Sequence, residues 1–301
     1  MNCALRVFSN LKGIPEMSVP MRVDLKGQVA VITGGGGILC SVMARALAEC
    51  GAKVAVLDLK PEMAQKVVDE IIKTGGTARA FACNVLEKAS IEQVHDQIKQ
   101  TLGPVDILVN GAGGNHPKGT TSKEFLTVED LTNKKEGVVT FYDLTVDGIQ
   151  FVFNLNFLGT FLPTQVFSKD MVLKKHGNII NISSMNAFKP LTKIPAYSAA
   201  KASVSNFTQW LAVHFSKVGV RVNALAPGFF LTDQNRALLT QPDGSPTARG
   251  NTIISHTPQG HYGKPEDLLG TLLWLLSDEA SGFVTGQVIA IDGGFSAFSG
   301  V

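Results

Sequence analysis

Short apolar runs alternate with amphipathic stretches along almost the whole chain. Residues 28–33 are an apolar run that ends in glycines, and residues 41–50 follow with helical spacing until Gly51, a residue suited to end a helix. Residues 53–58 read as a second strand, and residues 61–74 as a helix closed by Gly75 and Gly76. Residues 78–82, 90–102 and 105–110 continue the series as strand, helix and strand. Residues 178–183 and 220–226 are further strands, each after a helix, and residues 287–291 are the last. Apolar strands of this length separated by helices predict an α/β fold: a doubly wound parallel sheet of about seven strands with helices on both faces.

Two excursions break the rhythm, over about 114–146 and 229–265. Both follow strand ends at the carboxyl edge of the predicted sheet, where open α/β sheets bind ligands, so both are expected to be substrate loops. With no linker, repeat or low-complexity tract between them, residues 21–301 are expected to form a single dinucleotide-binding and catalytic domain. Residues 1–20 are expected to be a mobile N-terminal extension, with Met17 and Met21 as alternative starts.

Composition narrows the function classes. Hydrophobic residues make up 45% of the 301 and charged residues 17%, an ordinary globular balance, and the net charge of +2 gives no reason to expect nucleic acid or an acidic membrane as partner. Cys3, Cys40, Cys50 and Cys83 form no C-x-x-C pair and adjoin no histidine cluster, which suits reduced thiols in the cytoplasm and no metal. No apolar run is long enough to span a membrane.

The candidate chemistry lies in two places. Thr33-Gly34-Gly35-Gly36-Gly37 sits between a predicted strand and a predicted helix, where glycines let the backbone approach a pyrophosphate. Asp58 ends the second strand, and a carboxylate there accepts both ribose hydroxyls of an adenosine while repelling a 2′-phosphate, so NAD is expected over NADP. Farther along, the strand ending at Ile182 is followed by Ser183 and Ser184, a loop with Pro190 and Pro195, and a helix beginning near Tyr197. Tyr197 and Lys201 share one helix face, one turn apart. The lysine ammonium favours a phenolate and, with a positive nicotinamide, is expected to bring the phenol near neutrality. A serine hydroxyl beside it can hold a substrate oxygen while the tyrosine moves a proton.

Together these residues resemble the short-chain dehydrogenase/reductase family from about Leu25 onward, which implies a Rossmann-like fold and a nicotinamide cofactor. The family's Thr-Gly-x-x-x-Gly-x-Gly start is matched by Thr33 and Gly34 but has Ile38 and Cys40 at its later glycines. The resemblance implies cofactor contacts at Thr33, Gly34, Gly36, Gly37, Ile38 and Leu39, and at Asp58. Asn84, followed by Val85, stands where the family has an aspartate at the adenine, and Asn110-Gly111-Ala112-Gly113 where it has Asn-Asn-Ala-Gly. Pro227-Gly228, with Phe230 and Thr232, matches the segment that holds the nicotinamide carboxamide. The implied catalytic set is Asn156, Ser184, Tyr197 and Lys201; spacing to Gly159 favours Asn156 over Asn154, and spacing to Tyr197 favours Ser184 over Ser183. Tyr197 would exchange the proton of a secondary alcohol, Lys201 would also bind the nicotinamide ribose, Ser184 would hold the substrate oxygen, and Asn156 would support a water chain.

Within that family the strings TGGGGILC (33–40), NGAGGNHPK (110–118), NISSMNAF (181–188) and APGFFLTDQNR (226–236) are similar to the D-mannonate oxidoreductase (fructuronate reductase) group. This implies a small sugar-acid substrate and a cytoplasmic homotetramer, and Phe207, Trp210 and Phe215 supply an apolar component for such an assembly. Another sugar-acid or polyol dehydrogenase, such as a gluconate 5-dehydrogenase, and a non-catalytic dinucleotide sensor are the alternatives. A sugar acid needs cationic or amide partners, expected at Asn115, His116, Asn186 and Arg236 beside Ser184, with Lys118, Lys189 and Asn235 as further candidates.

Overall fold

The computed structural model describes residues 23–232 and 235–300, and there each apolar run becomes a strand, with a helix after every one but the last. In chain order the first half is β1 (Val29–Thr33), α1 (Ile38–Glu49), β2 (Lys53–Asp58), α2 (Pro61–Lys73), β3 (Thr77–Ala82), α3 (Lys88–Thr101) and β4 (Ile107–Asn110). The short α4 (Glu129–Thr132) and α5 (Val146–Phe153) precede α6 (Gly159–Lys174), β5 (Gly177–Ile182), α7 (Pro195–Phe215) and β6 (Val220–Pro227). The chain closes with α8 (Arg236–Leu239), α9 (Ala248–Ser255), α10 (Leu269–Leu276), α11 (Asp278–Ser281) and β7 (Val288–Ile291).

The strands form one seven-stranded sheet in the order β3-β2-β1-β4-β5-β6-β7, every neighbouring pair parallel. Every residue of β1, β4 and β5 is buried, so both faces of the sheet must be covered. One apolar layer packs Met43 and Leu47 of α1 with Leu272 and Leu275 of α10; the other packs Ile91 and Ile98 of α3 with Phe167 of α6 and Leu211 of α7. The order reverses between β1 and β4, whose following segments leave in opposite directions and open a crevice at the carboxyl edge.

The predicted elements and the observed ones agree to within a few residues; the largest shift is at α1, which starts at Ile38 rather than residue 41, because helical backbone begins directly after the glycines. The two excursions are not structureless. The first holds 3-10 turns at Pro117–Gly119 and Phe141–Asp143 besides α4, and the second holds α8 and α9. The expected extension over residues 1–20, Met17 and Met21 lie outside the described residues, as do Asp233 and Gln234.

A buried charge fastens α6 to α3 and to the segment that enters β4. Asp170 is 4% exposed, accepts the Val105 N–H at 3.0 Å, and lies 2.9 Å from His95 Nε2 and 3.6 Å from Lys99 Nζ. Burial alone would raise its carboxyl pKa, but the hydrogen bonds from His95 and Val105 and the nearby charges outweigh it, leaving the carboxyl below its ordinary value. A carboxyl depressed in the folded state contributes stability that is complete above its unfolded pKa of about 3.9 and is lost as pH falls through the lower folded value. Asp170→Asn is therefore expected to cost about 1–3 kcal/mol at neutral pH and to flatten the acid limb of stability. Urea unfolding between pH 3 and 7 measures both, and an unchanged acid limb in the variant would refute the assignment.

Candidate active site

The crevice is lined first by the loop between β1 and α1. Gly34 has φ +63°, and a Cβ there would stand 2.9 Å from Ala112 Cα, so both backbone and space demand glycine. The Gly36 N–H donates to Asp58 Oδ2 at 3.1 Å, while Asp58 Oδ1 accepts the Lys60 N–H at 3.0 Å. Asp58 is thus oriented by backbone at the end of β2, and each oxygen keeps a further lone pair for a ribose hydroxyl. A Cβ at Gly36 would come within 2.5 Å of Met63 Cβ, which keeps that turn close to α2. α1 opens at Gly37 with no capping side chain and no acid in its first turn. The N–H groups of Ile38 and Leu39 therefore remain for an anion at the positive end of the helix. This cradle fits the ribose and pyrophosphate of a dinucleotide.

Two of the departures from the family pattern, at Cys40 and Gly111, meet in space. Thr33 Oγ1 accepts the N–H groups of Gly111 and Ala112 at 3.1 and 3.2 Å, clamping the turn after β4 to the end of β1. A Cβ added at Gly111 would fall on Cys40 Sγ. The thiol at 40 thus occupies the room that a side chain at 111 would need. Burial pushes the Cys40 thiol up to about 12, with Lys201 opposing and Asp58 adding, so it stays protonated and acts by packing.

Several residues expected at the cofactor have side chains engaged elsewhere. Asn110 Nδ2 donates to Thr164 Oγ1 and Asn181 Oδ1, both at 2.9 Å, and Asn181 Nδ2 donates to Thr208 Oγ1 at 2.9 Å, a brace from β4 through β5 to α7. The Phe230 ring is buried in the apolar layer with Leu268 and packs over Gly263, and its carbonyl accepts from Asn235 Nδ2 at 2.8 Å. Asn84 holds its own turn, donating to Glu87 Oε1 at 2.8 Å and accepting the Leu86 N–H at 3.1 Å, and Val85 is buried against Gly159. Pro227 ends β6, the Gly228 N–H donates to Ile291 O, and the Thr232 N–H donates to Asn235 Oδ1.

Gly113 marks where the proposed catalytic residues converge. A Cβ there would stand 2.7 Å from Asn156 Oδ1 and 3.2 Å from Lys201 Nζ. Asn156 is brought inward by a π turn, Asn154–Leu158, between α5 and α6; it is fully buried while Asn154 is exposed. Its Oδ1 accepts the Gly114 N–H at 3.1 Å, and its Nδ2 donates to Gly114 O at 2.7 Å and Val152 O at 2.8 Å. Lys201, 4% exposed, donates to Ile182 O at 2.7 Å and lies 5.7 Å from the Tyr197 ring centroid. The two serines point apart, as consecutive residues leaving a strand do. Ser183 Oγ donates to Lys201 O and pairs with Ser205, whereas Ser184 Oγ accepts the Asn186 N–H and lies near enough to Tyr197 to act on its phenol.

The electrostatics of the site follow from its burial. Burial pushes the Tyr197 phenol above its ordinary value, with only the Ser184 hydrogen bond acting against it. Burial also pulls the Lys201 ammonium down to about 8, with Cys40 opposing. Desolvation is the leading cause at both groups in the chain by itself, so an acidic phenol would need the positive nicotinamide that the expectation includes.

The candidates for a sugar acid separate. Asn186 is 6% exposed and lies in the 3-10 turn that begins at Ser184. His116 is half-buried, accepts the Lys118 N–H on Nδ1 at 3.1 Å and packs on Phe151 at 4.8 Å between centroids. Asn115 is exposed and donates to Thr120 Oγ1; Arg236 is exposed at the start of α8; Lys189 donates to Phe298 O at 2.7 Å. The sequence pattern passes over Lys193, whose φ is +72°. Among the described residues no three His, Cys, Asp or Glu side chains converge as a metal site, and no helix is long and apolar enough to cross a membrane.

Comparison with known proteins agrees with this geometry. The family model for short chain dehydrogenases matches residues 28–243. An uncharacterised oxidoreductase of Haemophilus influenzae is 56% identical over 285 residues, covering 95% of this chain and 99% of its own length. A Haemophilus influenza protein assigned as a D-mannonate oxidoreductase, its crystal structure containing NAD, is 55% identical with a TM-score of 0.88 over 94% of this chain and 100% of that one. A gluconate 5-dehydrogenase from Burkholderia cenocepacia, in complex with NADP and tartrate, is 29% identical with a TM-score of 0.78 over 93% of this chain and 99% of that one. With the family model spanning most of the sheet and these relatives aligned over nearly the full length, the chain belongs to the short chain dehydrogenase family, NAD(P)-binding oxidoreductases that act on CH–OH groups.

Proposed function

We propose that this chain interconverts D-mannonate and D-fructuronate, with NAD as the hydride carrier. The observation that carries the reading is the meeting of Asn156 Oδ1 and Lys201 Nζ at Gly113, one helical turn from Tyr197, which has Ser184 beside it. The 55%-identical relative assigned as a D-mannonate oxidoreductase supports the substrate, and the tartrate held by the Burkholderia relative supports a hydroxy acid more generally. Asp58, fixed at the glycine turn, supports NAD, because its carboxylate would repel a 2′-phosphate.

NAD, when bound, accepts the carbinol hydrogen as hydride and brings a positive charge to the site. Ser184 Oγ holds the substrate oxygen. Tyr197 takes the hydroxyl proton as the C–H bond breaks, and returns it to the forming alkoxide in the reductive direction. Lys201, held by Ile182 O, supports the phenolate and reaches the nicotinamide ribose. Asn156, bonded to Gly114 on both its amide atoms, keeps the turn after β4 in place and supports a proton path to solvent. The aromatic face of Phe157, Phe161, Phe207 and Trp210, the last 56% exposed, supports association into a homotetramer, and we place the enzyme in the cytoplasm.

A panel of sugar acids followed by nicotinamide absorbance, with each coenzyme, tests the reading. D-mannonate and D-fructuronate are expected to be the best pair, NAD is expected to exceed NADP by about tenfold or more in kcat/KM, and Asp58→Ala is expected to narrow that gap. A preference for gluconate, or equal use of the two coenzymes, would overturn the corresponding part.

A further inference from the structure

Two non-glycine residues of the described chain have left-handed backbone, Lys175 at φ +55° and Lys193 at φ +72°. Lys175 is the C-cap of α6, a position where that conformation is common. Lys193 caps no helix. It lies in the turn between Ser184 and the start of α7 at Pro195, in a conformation that glycine adopts without strain. A lysine held there despite the strain suggests that its side chain is needed. The surroundings hold it: the Thr121 N–H donates to Lys193 O at 2.8 Å, fastening the first excursion to this turn. The side chain is half-buried, and among the described residues neither a carboxylate nor a hydrogen-bond acceptor pairs with its ammonium.

The same loop carries a second unsatisfied group. Asn186 Oδ1 is buried and has no donor in the protein. Leaving such an oxygen unpaired is costly, and a ligand hydroxyl is a donor it can accept. The other cations near the site are less suited: Lys189 is engaged with Phe298 O, Lys201 with Ile182 O, and Lys118 and Arg236 are exposed.

We infer that Lys193 binds the substrate carboxylate while Asn186 Oδ1 accepts from a hydroxyl of the same molecule, making Lys193 the residue that selects acids over neutral polyols. This rests on the sugar-acid reading above. The test compares wild type with Lys193→Met, Lys193→Gly and Lys193→Arg, measuring kcat and KM for D-mannonate and the Kd for NAD. KM is expected to rise about tenfold to a hundredfold in the Met and Gly variants and to recover in Arg, with NAD affinity unmoved in all three. The wild-type KM is expected to rise with ionic strength, and that of Lys193→Met to be nearly insensitive to it. Lys193→Gly relieves the backbone strain and is expected to melt at or above the wild-type temperature, so it carries the test should the Met variant fold poorly. An unchanged KM in Lys193→Gly, with wild type oxidising D-mannonate, would overturn this inference and leave the sugar-acid reading standing. Wild type that oxidises no sugar acid at all would overturn both.

Discussion

Tyr197→Phe is expected to lower kcat by about a thousandfold or more while NAD affinity changes by less than about twofold, since a positioned general acid–base group contributes about 10²–10⁴ in rate. The substitution removes one oxygen and keeps the ring. The groups around it do not depend on that oxygen for their positions: Lys201 is fixed by Ile182 O, Asn156 by Gly114 and Val152, and Ser184 by the Asn186 N–H. The variant therefore isolates proton transfer from architecture. The pH dependence adds a second readout. Oxidation needs the phenolate, and burial holds the Tyr197 phenol above its ordinary value in the chain alone, so the oxidative rate of wild type is expected to climb with pH. That limb is expected to vanish from the residual activity of Tyr197→Phe. Turnover close to wild type in the variant would remove Tyr197 from the mechanism.

Gly111→Asn, which restores the residue usual in the family, is expected to destabilise this chain by about 2–4 kcal/mol, because the new Cβ falls on Cys40 Sγ inside a close-packed region. Overpacking here has little room to relax. The Gly111 N–H is held by Thr33 Oγ1, and Cys40 lies within α1, directly below the glycine loop. Cys40→Gly alone leaves a small void and gives up helix propensity, so it too is expected to cost about 1–2 kcal/mol. The double variant is expected to be more stable than the sum of the two losses by about 1–3 kcal/mol, a coupling that urea unfolding of all four proteins measures. The same double variant should regain the NAD affinity that Gly111→Asn loses, since the turn after β4 forms one wall of the crevice. Strict additivity would mean that the two departures are unrelated.

The contrast between Asn110 and Asn156 shows how far residue type alone can be followed. Both match family positions, and nothing in their neighbours along the chain distinguishes a brace from a site residue. Asn110 donates to Thr164 and Asn181, residues on α6 and β5, so its amide is committed within the interior. Asn156 is turned toward Gly113 by a π turn that the hydrophobic pattern does not reveal, since it adds one residue to a helix without changing its character. The charge state of Tyr197 was equally hidden. A spacing of four positions between tyrosine and lysine predicts attraction, but how far burial opposes it in the chain by itself is set only by the packed fold.

The order of strands and helices, the parallel sheet, the glycine loop and the Tyr197–Lys201 pair were all readable from the chain, because strands buried on both faces must be continuously apolar and one helical turn fixes which residues share a face. The fit of Cys40 to Gly111, the inward turn of Asn156, the raised phenol and the left-handed Lys193 were decided by tertiary structure. Each arises where segments distant in sequence exclude water from one another, and steric room and solvation are properties of that contact, not of either segment alone.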